Sequence, residues 1–100
     1  MRTWPLVVDQ LSRERVAELR YFCLQYPQKK AMKDSRSLSD VALIEAAAHE
    51  AAGSEALTPY LLKNVTNGIG LSLLSVPMGK GKFYAMRRRF FMILDKMQRA

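Results

Sequence analysis

From Phe83 to Met97 apolar side chains recur at intervals of three and four: Phe83, Met86, Phe90, Ile93, Leu94 and Met97. At about 100° per residue these six fall in one stripe of an α-helix, whereas a strand would scatter them over two faces. So wide a stripe has to be buried. The spacing predicts a final helix from near Gly79 to about Met97, lying on a protein core. Lys82, Ala85, Arg88, Arg89, Met92, Lys96 and Arg99 fall roughly opposite the stripe, with Tyr84 and Phe91 on the flank. Arg87 is close enough to the stripe for its stem to pack while its guanidinium emerges.

Capping signals divide the rest of the chain into helices, and no convincing period-two alternation suggests a sheet. Ser12 is the expected N-cap of the first helix, with Leu11 and Val16 as a hydrophobic staple. Val16, Leu19, Phe22, Cys23 and Tyr26 make its main stripe, and Ala17, Tyr21 and Leu24 a second one. The second stripe suits burial inside the monomer and a dimer seam equally. Pro27 is expected to end or kink this helix at Tyr26, which leaves Gln28 to Ser37 as a solvated connection. A second, alanine-rich helix is expected from Ser39, with Leu38 and Leu43 as its staple, to Gly53. A third starts at Thr58-Pro59, or alternatively at Ser54, and closes at Asn67-Gly68. Leu71, Leu73, Leu74 and Val76 form a short apolar segment that stops at Pro77. The expected fold class is all-α: a compact bundle of about five helices with a C-terminal helix-turn-helix. Residues 1–100 form one domain, in which 1–53 buttress 54–100.

Charge is distributed less evenly than hydrophobicity. The chain's formal net charge is +7, and Lys80 to Ala100 carry +6 of it: Lys80, Lys82, Arg87, Arg88, Arg89, Lys96 and Arg99 against Asp95. A basic element on a nearly neutral body suits a polyanion, of which nucleic acid is the commonest. With 49% apolar and 25% charged residues the chain is an ordinary globular one. No apolar run approaches the ~18–20 residues of a spanning helix, and Trp4 to Val8 is too short for a signal-peptide core, so a cytoplasmic protein is expected. One cysteine, Cys23, and one histidine, His49, are too few for a Cys/His metal site, and no metal or other cofactor is expected.

A short helix, a tight turn and a longer basic helix follow the order of a helix-turn-helix, whose second helix enters the major groove with its N-terminal half. The expected DNA contacts are therefore Lys80, Lys82, Tyr84, Arg87, Arg88 and Arg89. Lys63 and Lys96 are weaker candidates for the DNA backbone, and Lys29, Lys30 and Lys33 extend the footprint if they reach the same side. Arginine forks match guanine O6 and N7 or paired phosphate oxygens, and lysines add unoriented attraction. A-form RNA, with its deep and narrow major groove, suits such an element less well than duplex DNA. Arg87-Arg88-Arg89 as a merely solvated helix face is the plain alternative, since cations late in a helix also complement its dipole.

The stretch Tyr60 to Met97 resembles the small helix-turn-helix proteins of phages and integrated elements of Gram-positive bacteria, which are similar to region 4 of sigma factors. The resemblance is carried above all by Val76-Pro77-Met78-Gly79-Lys80-Gly81-Lys82-Phe83-Tyr84-Ala85-Met86-Arg87-Arg88-Arg89-Phe90-Phe91. Phe83-Tyr84, Arg87-Arg88 and Phe90-Phe91 match the aromatic and arginine pairs of that group's recognition helix. Tyr21 to Pro27 looks like the end of its N-terminal helix. The resemblance implies transcriptional control, or another DNA-binding role, in a phage or mobile element. Gly79, Gly81 and Lys82 stand where the group usually has serine or threonine, which favours phosphate attachment over base reading.

An enzyme finds little support. There is no phosphate-cradling Walker pattern and no nucleophile elbow, and Glu45, Glu50 and Glu55 are rotated by about 140° from one to the next around a helix. The competing class is a module that binds a host or phage protein, such as RNA polymerase, through the same scaffold. A basic amphipathic helix also suits an anionic membrane surface unless its apolar side is buried.

Overall fold

The computed structural model describes residues 11–70, 74 and 76–99. Among them are five helices and no strand: α1 (Arg13–Leu24), α2 (Tyr26–Met32), α3 (Ser35–Ala52), α4 (Thr58–Asn67) and α5 (Lys80–Arg99). The all-α expectation holds. Of the apolar segment Leu71 to Val76, only buried Leu74 and half-buried Val76 are described, and Trp4 lies outside the described residues.

The side chain of Ser12 caps α1 by accepting the Arg15 amide at 3.0 Å. The next two elements depart from expectation. Pro27 does not release the chain into a loop but occupies the first turn of α2, where its missing N–H would have had no helical partner in any case. The first of the two helices ends at Leu24, so the proline marks a new start. α2 ends at Lys33, which takes a left-handed conformation at φ 58°.

α3 then begins at Ser35 rather than at Ser39. The Asp34 carboxylate accepts the Ser37 amide at 3.1 Å and so caps the helix in place of Ser39. Hydrogen bonds from Ser37 hold that carboxyl below its ordinary pKa. Leu38, expected as a staple, is exposed. At the far end Gly53 adopts φ 68° and closes α3 as expected. Thr58 is itself the first residue of α4, and its hydroxyl donates back to the Ser54 carbonyl at 2.8 Å instead of capping.

Packing centres on α5. Its most extensive partner is α3, whose Ala47, Ala48 and Ala51 are fully buried. Side chains this small let the two helices approach closely, and the freed volume is filled by Phe83, Met86, Phe90 and Leu94 from α5. Leu19 and Cys23 of α1 and Leu61 and Val65 of α4 complete the core. The Cys23 thiol is pushed up to about 12 by burial, so it is a packed, unreactive group. The second stripe of α1 is not buried in the monomer: Tyr21 is 69% and Leu24 47% exposed.

Candidate nucleic-acid interface

The apolar side of α5 is consumed by the core, and this fixes which side chains remain outside. Phe83, Phe90 and Leu94 have no exposed surface, and Phe91, expected on the flank, is also buried, edge-on to Phe90. Lys80, Lys82 and Arg88 are exposed and make no hydrogen bond or ion pair with the described residues. Tyr84 is 40% exposed, with its ring edge-on to Phe83.

The other two arginines of the triplet are tied to the protein. Arg87 is half-buried, its Nε donating to Asn64 Oδ1 at 2.8 Å and its guanidinium lying 5.0 Å from the centre of the Phe91 ring. Burial first, and the nearby Arg20 second, lower its pKa from the ordinary arginine value. The expected packing of its stem is thus realised, but the guanidinium is recessed rather than projected. Arg89 Nη2 donates to the Ala51 carbonyl at 2.8 Å. That carbonyl belongs to the last turn of α3, where helical acceptors lack partners and the dipole favours a cation.

At about 100° per residue, Lys82 and Arg89, seven apart, share the flank of α5 turned to α3, whereas Tyr84, Arg87 and Arg88 gather on the side of α1. The latter three line one groove of about 500 Å³ together with Leu11, Val16, Phe91 and Met92. The candidate contacts therefore fall into two groups on either side of the helix. Lys63 and Lys96 are exposed on α4 and on the second half of α5. Lys29 is drawn away from any footprint by Asp40 at 2.8 Å and by the Phe22 ring, 4.1 Å from its Nζ. Lys30 lies beside Glu45, which also accepts the Tyr26 hydroxyl. Lys33 is exposed.

The second half of α5 is organised around Asp95, a buried carboxylate. It accepts Arg15 Nε at 2.6 Å and Arg99 Nε at 3.0 Å, and Arg15 also reaches Gln98 Oε1 at 2.7 Å. Burial works against ionisation of Asp95, but the two arginines outweigh it and hold the carboxyl below its ordinary value. Asn64 and Asp95 are the polar residues that sequence reasoning missed. Asn64 and Arg87 are 23 positions apart and Asp95 and Arg15 80 apart, contacts that no local pattern announces; the Asp95–Arg99 pair, four residues apart, is the local signal that was there to be read.

Among the described residues no group of three His, Cys, Asp or Glu side chains could hold a metal ion, and no helix is long and apolar enough to cross a membrane. Comparison with family models, curated proteins and solved structures returns no match for the chain.

Proposed function

We propose that this chain binds double-stranded DNA through the exposed basic side of the first half of α5, as a transcriptional regulator of a phage or mobile element acting in the bacterial cytoplasm. The observation that carries the reading is the division of α5 itself. Phe83, Met86, Phe90 and Leu94 of its apolar stripe are enclosed and Ile93 and Met97 pack half-buried against the core, so little of that face is left for lipid, while Lys80, Lys82, Tyr84 and Arg88 stand outside. A helix with cations on its outer side fits the major groove, about 12 Å wide, and cations there attach to phosphate. Arg87 and Arg89 serve chiefly to orient the helix, and Lys63 is the backbone contact from α4. Base reading, if present, falls to Arg88, the one arginine of the triplet without a partner among the described residues.

The test is an anisotropy titration of labelled random duplex across a salt series, with anionic vesicles and double-stranded RNA in parallel. Duplex affinity should fall with a log–log slope of about −3 to −5, as for a handful of phosphate contacts. Absence of duplex binding at low salt rules the proposal out. The alternative, a module for another protein or for a second copy of itself, has its own observation in the exposed Tyr21, Leu24, Met32 and Leu38. It prevails if the duplex is ignored.

A further inference from the structure

The groove between the start of α1 and the first half of α5 has a composition that duplex DNA does not explain. Its walls are Leu11, Val16, Phe91 and Met92, and its charged members are Arg87 and Arg88. At about 500 Å³ it has the size of a ligand-binding cleft. A hydrated sugar-phosphate backbone gains nothing from apolar walls. The recessed Arg87 is the second unusual feature. Its Nε is held by Asn64 and its plane by Phe91, yet it faces no carboxylate among the described residues, and its charged neighbour is another arginine, Arg20. A half-buried cation without a counter-charge is a costly arrangement that an incoming anion relieves.

We propose that this groove docks an acidic amphipathic peptide segment of a partner protein, whose apolar side chains fill the space between Val16 and Met92 while its carboxylates pair with Arg87 and Arg88. Charge complementarity selects this occupant: among the described residues the lining carries no acidic side chain, and its two charged members, Arg87 and Arg88, lie among apolar ones. Recognition of this kind uses apolar anchors at helical spacing laid into a groove. Tyr84 and Arg88 also belong to the surface proposed for DNA, so peptide and duplex exclude one another. The segment is thereby a means of taking the protein off DNA, although docking itself does not depend on the DNA reading.

The probe is a fluorescein-labelled amphipathic helical peptide with Leu and Phe at i, i+3, i+4 and i+7 and Glu on the other face. Two controls replace Glu by Gln, or Leu and Phe by Ser. The full chain should bind the probe about tenfold more tightly than either control. The probe should shift the Met92 methyl resonance of methionine-labelled protein and leave that of Met32 in place. Val16→Lys, which adds a cation but blocks the apolar wall, should weaken the probe about tenfold without weakening the duplex. Met92→Lys repeats the test from the opposite wall, with helicity checked for both variants. Equal binding of the Ser control, unchanged affinity in both variants, or no binding at all overturns the proposal. So does probe binding that appears only after Trp4, Leu6, Val7 and Val8 are replaced by Ser, an outcome that assigns the groove to the chain's own N-terminal segment.

Discussion

In the first half of α5, Lys80, Lys82 and Arg88 stand in solvent without a partner among the described residues. In the second half, Arg99 is bonded to Asp95, and Asp95 reaches Arg15 across the bundle. One helix thus carries two electrostatic designs. Of the later cations, Arg99 is satisfied by a buried carboxylate that also ties α5 to α1, whereas the earlier ones raise the local positive potential and contribute little to folding. A cluster of like charges is therefore informative about function only after its internal partners are subtracted. For the proposed duplex surface, that subtraction sets apart Arg87 and Arg89 in the middle of the helix as well, and leaves fewer candidates than a count of basic residues implies.

The sharpest way to break this contrast is to remove apolar mass from the supporting side. Phe90→Ala should cost about 3–5 kcal/mol, read by thermal or denaturant unfolding, since its ring is fully enclosed. An unchanged melting temperature would mean that the core does not carry the helix. Asp95→Asn comes next, with an expected loss of about 1–3 kcal/mol as the charge-assisted bonds to Arg15 and Arg99 weaken. The associated pH dependence has a definite sign. A carboxyl whose folded pKa is depressed contributes its full stability above the unfolded value, ordinarily 3.8, and loses it as pH falls through the lower folded value. Wild type should therefore lose stability in acid over that window, and Asp95→Asn should lose less. Parallel acid profiles for the two proteins would dismiss the linkage.

The smallest and most discriminating pair lies within the arginine triplet. Arg87→Ala should lower stability by about 1–2 kcal/mol, because Asn64 loses its partner and Phe91 its cover. Arg88→Ala should change stability by less than about 0.5 kcal/mol and show itself only as a several-fold loss of duplex affinity at matched salt. If the two variants exchange these phenotypes, the proposal that Arg87 chiefly holds the helix and Arg88 meets the duplex is wrong.

Much of the scaffold was legible in the residues. The Ser12 cap, the terminating Gly53 and Gly68 and the apolar spacing of α5 are local signals, in which the residue that makes the feature lies within a turn of it. Elsewhere the same local evidence was ambiguous. Pro27 suits both a stop and a start, because the property that breaks one helix, a missing amide hydrogen, is harmless in the first turn of the next. Asp34 and Ser39 are both good caps, and nothing nearby says which will win. The candidate interface was legible as a charge excess and a face. Its division was not, because that depends on Asn64 and on the Ala51 carbonyl, which tertiary packing alone brings to Arg87 and Arg89.

Those two contacts act on opposite flanks of α5. A helix lying on a smooth apolar bed can roll about its own long axis at small cost, since one methyl group replaces another. Here a rotation in either sense must break the Arg87 bond to Asn64 or the Arg89 bond to Ala51, so the roll is arrested from both sides. Arg88, between them in sequence, consequently has a fixed azimuth. Two arginines moor the cylinder so that the third always faces the same bearing.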